Sequence, residues 1–249
     1  MAVIGLKSRL SVSCCALLAL TGCARTESNT AASILLFCGT GTSSEDVDAI
    51  AKILESRGLD YATANSSQVN RMSEARLMAY RLIIIPGGNY IRIGNNLTPE
   101  ATQRIQNAVQ RGVNYLGICA GGLLAGKART NSLNLTSGVK FGFYAAVNHS
   151  IHKAPVPIAC VDAPVIELYW EDGPQFTGWG QVVGKYPDGT PAIVEGTSGK
   201  GWVILCGVHP EAPESWRRRL TFSTTGDAAH DYTVTLVDAA LHGRRLPHY

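Results

Sequence analysis

The sequence predicts an α/β domain: a mainly parallel β-sheet with helices on both faces, plus a few antiparallel strands. Three observations predict it. Short continuous apolar runs recur along the chain (SILLFC at 33–38, LIII at 82–85, VNYLGI at 113–118 and WVILC at 202–206), as strands buried on both faces require. Segments with helical apolar spacing stand between the first three of these runs. Each run ends in a glycine-containing turn, which gathers several loops at the carboxyl edge of the sheet, where ligands bind in such folds.

The elements follow in order. Gly39-Thr40-Gly41-Thr42 turns the chain after the first run. Ser43 and Ser44 can cap a helix whose Val47, Ile50, Ala51 and Leu54 share one stripe, with Gly58 after its end. The second run stops at Pro86-Gly87-Gly88. Thr98 then caps a helix with Pro99 at its first position, running towards Gly112. The third run breaks at Cys119-Ala120-Gly121-Gly122 into a short helix. The stretch 131–197, rich in Pro, Gly and aromatic residues, reads as shorter antiparallel strands and long loops. A last helix is predicted over 228–242, with Asp227 as cap and Gly243 beyond it.

Composition narrows the class of function. With 45% hydrophobic and 16% charged residues, the chain is that of an ordinary globular domain. Lys and Arg number 22 against 19 Asp and Glu, too even a balance for a nucleic-acid-binding face. The runs Arg217 to Arg219 and Arg244 to Arg245 read as solvated surface.

The N-terminus has a separate logic. Lys7 and Arg9 precede Leu10 to Leu20, an apolar run too short to span a bilayer but suited to a signal segment. It ends in Leu20-Thr21-Gly22-Cys23, which resembles the lipobox of bacterial lipoproteins. That resemblance implies a signal peptide over 1–22, a lipid anchor on Cys23, a polar tether over 23–32 and a domain over 33–249. Ala24, where an aspartate would resemble an inner-membrane retention signal, implies an outer-membrane anchor with the domain facing the periplasm. Cys14 and Cys15 would leave with the signal; an exported compartment permits a disulfide among Cys38, Cys160 and Cys206, but their spacing defines no framework.

Three motifs carry chemistry. Gly117-Ile118-Cys119-Ala120-Gly121-Gly122 directly follows a strand, so Cys119 stands in a sharp strand-to-helix turn that lifts its thiol above the sheet edge. The helix start favours thiolate, and the Ala120 N–H can serve as one oxyanion donor. Pro86-Gly87-Gly88 ends another strand and offers Gly88 as the second donor, with glycine allowing close approach. His209-Pro210-Glu211 ends a third and sets a base two residues from a carboxylate that can fix its tautomer. His149 and His152 sit in an irregular stretch and read first as surface loop. Gly39-Thr40-Gly41 lacks the ending of a phosphate loop and reads as a turn at the rim. No HExxH and no paired Cys-x-x-Cys occur, so neither a metal nor a cofactor is predicted.

PGG, then GxCAGG, then HPE, in this order, resembles the class I glutamine amidotransferase-like superfamily, a flavodoxin-like fold. IIIPGG, GICAGG and GVHPE, with Tyr169-Trp170-Glu171-Asp172-Gly173-Pro174 between, are most similar to the N-terminal domain of eukaryotic biotin–protein ligases and its stand-alone bacterial relatives. The resemblance spans about 33–211. It implies Cys119 as nucleophile, His209 as base, Glu211 as orienting acid, and Gly88 with Ala120 as oxyanion donors. No ligase or ammonia-consuming synthetase domain follows Glu211 in this sequence, so the resemblance implies fold and site geometry more than glutamine as substrate.

Three readings remain open on the sequence. One is a cysteine hydrolase acting on a small-molecule or peptide amide through a thioester. The second is a non-catalytic binding or regulatory module that keeps the crevice. The third is a dienelactone-hydrolase-like arrangement in which Asp172, rather than Glu211, supports His209.

Overall fold

In the computed structural model, which describes residue 1, residues 32–144 and residues 153–249, the four apolar runs become neighbouring parallel strands. The signal segment, Cys23, His149 and His152 lie outside the described residues. Ile34–Phe37 (β1) leads to Ser44–Ser56 (α1), Tyr61–Ala64 (β2), Ser66–Arg71 (α2), Glu74–Leu77 (α3) and Leu82–Ile85 (β3). Tyr90–Asn95 (α4), Pro99–Gln110 (α5), Asn114–Ile118 (β4) and Ala120–Ala125 (α6) follow. Then come Gly142–Phe143 (β5), Lys153–Cys160 (β6), Ile166–Glu171 (β7), Pro174–Gln175 (β8), Gln181–Lys185 (β9) and Pro191–Ser198 (β10). Gly201–Cys206 (β11), Glu214–Arg217 (α7) and Gly226–His242 (α8) close the chain.

Nine strands form one mixed sheet in the order β2-β1-β3-β4-β11-β10-β9-β6-β7. From β2 to β11 the pairs are parallel; from β11 to β7 they are antiparallel. β5 and β8 make a separate two-stranded ribbon. In this half β1, β3 and β11 are buried at every position, because both faces of the sheet are covered there. Ile34, Leu36, Ile84, Leu116 and Ile204 pack with Ile50 and Leu54 of α1 and Leu236 of α8. The alternate positions, Leu35, Ile83, Tyr115 and Val203, pack on the other face with Ile105 and Val109 of α5 and Leu124 of α6. The period of two in each strand thus builds two cores from one run of sequence.

Helix ends agree with the sequence in two cases and differ in a third. Ser43 caps α1, its hydroxyl accepting the Asp46 N–H at 3.4 Å, and Thr98 caps α5 ahead of Pro99. The final helix starts earlier than predicted: Thr225, not Asp227, is its cap, and Thr225 Oγ1 accepts the Ala228 N–H at 3.2 Å. Asp227 lies inside the first turn, where its charge complements the helix dipole instead. Gly243 ends this helix at φ 60°, the left-handed conformation that glycine adopts without strain. Cys38, Cys119, Cys160 and Cys206 are all free thiols. Among the described residues no helix is long and apolar enough to cross a membrane.

Candidate active site

The loops after β1, β3, β4 and β11 meet at the carboxyl edge of the parallel strands. β4 ends at Ile118, and Cys119 adopts φ 47° and ψ −103° before α6 begins. A non-glycine residue held there is strained by about 1–3 kcal/mol, so the surroundings must fix it. The Cys119 N–H donates to the Cys206 carbonyl at 2.7 Å, continuing the β4–β11 ladder by one residue. The Gly121 N–H donates to the Pro86 carbonyl at 3.2 Å, tying the elbow to the neighbouring glycine loop. Glycine is obligatory at 121, because a Cβ there would meet the Ile85 carbonyl oxygen at 2.0 Å.

His209 is buried three residues beyond β11. Its N–H donates to the Tyr169 carbonyl at 2.7 Å, so β7 clamps the backbone on which the imidazole stands. Nδ1 lies 2.7 Å from Oε1 of the fully buried Glu211. That bond assigns Nδ1–H as donor and leaves Nε2 for Cys119, the ring's other side-chain partner. Burial disfavours the charged ring, but the charge and hydrogen bond of Cys119, with the charges of Asp46 and Glu171, outweigh it and raise its pKa to about 9. Burial likewise raises Glu211 to about 7. The Cys119 thiol itself rests against the Glu171 carbonyl at 3.8 Å.

A third acid completes the buried group. Asp46, in the first turn of α1, has no exposed surface, and its Oδ2 accepts the Gly87 N–H at 2.5 Å. Sequence reasoning missed it, because an acid in a first turn ordinarily faces solvent and answers the helix dipole. Its only sequence signal is its place on the helix face carrying Val47, Ile50 and Leu54. Asp46, His209 and Glu211 each offer one atom within 4.8 Å of the others, close enough for a cation cage. The short His209–Glu211 and Gly87–Asp46 bonds, however, already occupy one lone pair on each carboxylate.

The Gly87 N–H is therefore committed to Asp46. Gly88, at φ 136°, lines the same cleft as Cys119, and among the described residues its N–H donates to no backbone carbonyl. Ala120 is the first residue of α6, so its N–H has no partner within the helix. The cleft has a volume of about 870 Å³. Tyr169 and Trp216 line it beside His209, with Glu171, Lys153, Arg218 and Arg219 adding charge of both signs. Trp216 is held there by Glu45, which accepts its Nε1–H at 2.8 Å and the Ser215 hydroxyl at 3.0 Å. Asp172 also lines the cleft, but the Nδ1 of His209 is bonded to Glu211.

With this geometry in view, known proteins place the chain. Residues 32–136 match the family model described as biotin-protein ligase, N terminal. No curated protein sequence matches. Among solved structures, a glutamine amidotransferase matches at 18% identity with a TM-score of 0.56, over 83% of this chain and 99% of that one. A glutamine amidotransferase from Thermotoga maritima matches at 12% identity and a TM-score of 0.52, over 84% and 87% of the two chains. A cytoplasmic protein from Salmonella typhimurium matches at 18% and 0.54, over 85% and 99%. The chain has the class I glutamine amidotransferase-like α/β fold. Within that class it resembles the biotin–protein ligase N-terminal family, whose match covers Asp46, Gly88 and Cys119 and ends before His209 and Glu211.

Proposed function

We propose that the protein is an exported cysteine hydrolase of the amidase type, with Cys119, His209 and Glu211 as its triad and an anchor on Cys23. The observation that supports it is the positive-φ elbow of Cys119 beside an imidazole whose Nδ1 is locked to Glu211 at 2.7 Å. Glu211 fixes the tautomer, and Nε2 of His209 takes the proton of the Cys119 thiol. The thiolate adds to the amide carbonyl, and the Gly88 and Ala120 N–H groups stabilise the oxyanion. Collapse breaks the C–N bond, His209 protonates the departing amine, and a thioester remains. Water, deprotonated by His209, then cleaves the thioester to the free acid and restores the thiol. The charges of both signs in the cleft suit a polar amide.

The test is selective labelling. Iodoacetamide or a chloroketone offered to the full chain at neutral pH is expected to modify Cys119 ahead of the half-buried Cys38 and Cys160, and Cys119→Ser is expected to abolish that reaction. Equal labelling of all three would count against a catalytic thiolate. It would favour a binding module of the kind that the biotin–protein ligase resemblance also allows.

A further inference from the structure

Asp46 takes no part in the steps above, yet it is buried against the group that does. Its Oδ2 accepts the Gly87 N–H at 2.5 Å and lies 3.8 Å from His209 Nδ1. Its other oxygen, Oδ1, is buried and receives no hydrogen bond, and the same is true of Oε2 of Glu211. Two neighbouring carboxylates that are dry and both ionised repel strongly, and each orphaned oxygen carries its own desolvation cost. One proton between them removes the second charge and partners both oxygens. We propose that Asp46 and Glu211 share a single proton through Asp46 Oδ1 and Glu211 Oε2, making Asp46 a positioning residue that holds the pair at one net negative charge behind His209.

The titration directions agree with this placement. Burial first, then the Glu211 charge, push Asp46 well above the usual carboxylate range, and burial raises Glu211 to about 7. Glu211 Oε1 lies 2.7 Å from His209 Nδ1 and stays the acceptor for Nδ1–H, so the shared proton is drawn on Asp46. The groups acting on the pair are the Gly87 and Glu211 backbone N–H groups, the His209 ring and the Cys206 thiol; Cys119 and Glu171 act on His209. Asp46 also joins the two halves of the site, since it fixes Gly87 next to the oxyanion donor Gly88. A Cβ on Gly87 would meet both His209 Cε1 and Asp46 Oδ2, at 2.4 and 2.5 Å.

The proposal rests on the triad reading, and two measurements on the full chain in mild detergent separate them. The first is the pH profile of Cys119 alkylation by iodoacetamide. Asp46→Ala, which strands both the Gly87 N–H and Glu211, is expected to slow the reaction at neutral pH by about tenfold or more. Asp46→Asn can accept from Gly87 and donate to Glu211, so it is expected to rescue the rate to within about threefold, with the wild-type pH midpoint. The double variant Asp46→Asn/Glu211→Gln removes the remaining charge and is expected to move the midpoint up by about one unit. The second measurement is infrared: the wild-type protein at pH 7 is expected to show the carbonyl stretch of a protonated carboxylic acid, absent in Asp46→Asn.

An Asp46→Asn variant as slow as Asp46→Ala, or a wild-type spectrum without that band, would overturn the shared proton. So would a stoichiometric divalent cation bound at the pair. A wild-type Cys119 no more reactive than Cys38 and Cys160 would overturn the triad reading alone, because the infrared band does not depend on the thiol.

Discussion

Cys119 and Gly87 set the precision of the site one residue at a time. The thiol occupies a backbone conformation that only its neighbours sustain, and Gly87 fills the one space between His209 and Asp46. Gly87→Ala is expected to push the imidazole off Glu211 and cut Cys119 alkylation by about 10- to 100-fold, read by mass spectrometry. Its loss of stability should be smaller, about 1–3 kcal/mol for an overpacked contact, read from thermal melts. A variant that melted far lower but kept its thiol reactivity would show that Gly87 serves folding, not the site. At this scale Cys119, His209 and Glu211 were legible because each stands in a motif whose neighbours announce a turn at a strand end. Asp46 was not legible, because only the tertiary packing of α1 over the Gly87 loop buries it.

The elements divide by how much of their placement is local. β1, β3, β4 and β11 were legible as uninterrupted apolar runs, and α1 and α5 by their caps and stripes. β2 and the short α2, α3 and α4 were not, since four to six residues carry too little periodicity to separate from loop. The strands β6, β7, β9 and β10 were expected only as a class: β6–β7 and β9–β10 pair across short connections, but β6 also pairs with β9 past β7 and β8, an order that no local pattern specifies. Four-residue α7 is too short to be stable by itself. It is pinned over the cleft by Glu45, which bonds Trp216 and Ser215, while the Trp216 ring packs on His209 and Tyr169. Glu45→Ala is expected to raise hydrogen exchange in 214–217 and speed the reaction of Cys119 with bulky maleimides several-fold, with little change in the global melt. Unchanged exchange would mean that the aromatic packing alone holds α7.

For the whole molecule, two properties depend on more than the domain's own contacts. If Cys23 carries the lipid, Cys23→Ala is expected to move the protein from the membrane fraction to the soluble one, as an immunoblot of the fractions would show. The other property is the pH dependence of stability, which the buried acids turn away from the usual direction. A carboxylate paired with a cation has a depressed pKa and loses stability in acid; here Asp46 and Glu211 are raised instead, chiefly by burial. The folded state then binds protons more tightly than the unfolded chain, so stability falls as pH rises. For Glu211 the loss runs from its ordinary value near 4.5 to about 7. His209 adds a second window with the same sign. Its contribution is fully present below 6.5 and is lost as pH rises through about 9. The exposed Glu45 and Glu100 and the half-buried Glu74 are shifted down and oppose this slope, but solvent screens them. The melting temperature should therefore decline by several degrees between pH 5 and pH 9. Cys119→Ala, which removes the largest influence raising His209, should flatten the upper window and leave the lower one. A melting temperature that instead rose from pH 5 to pH 7 would mean that the buried acids are ionised in the folded protein.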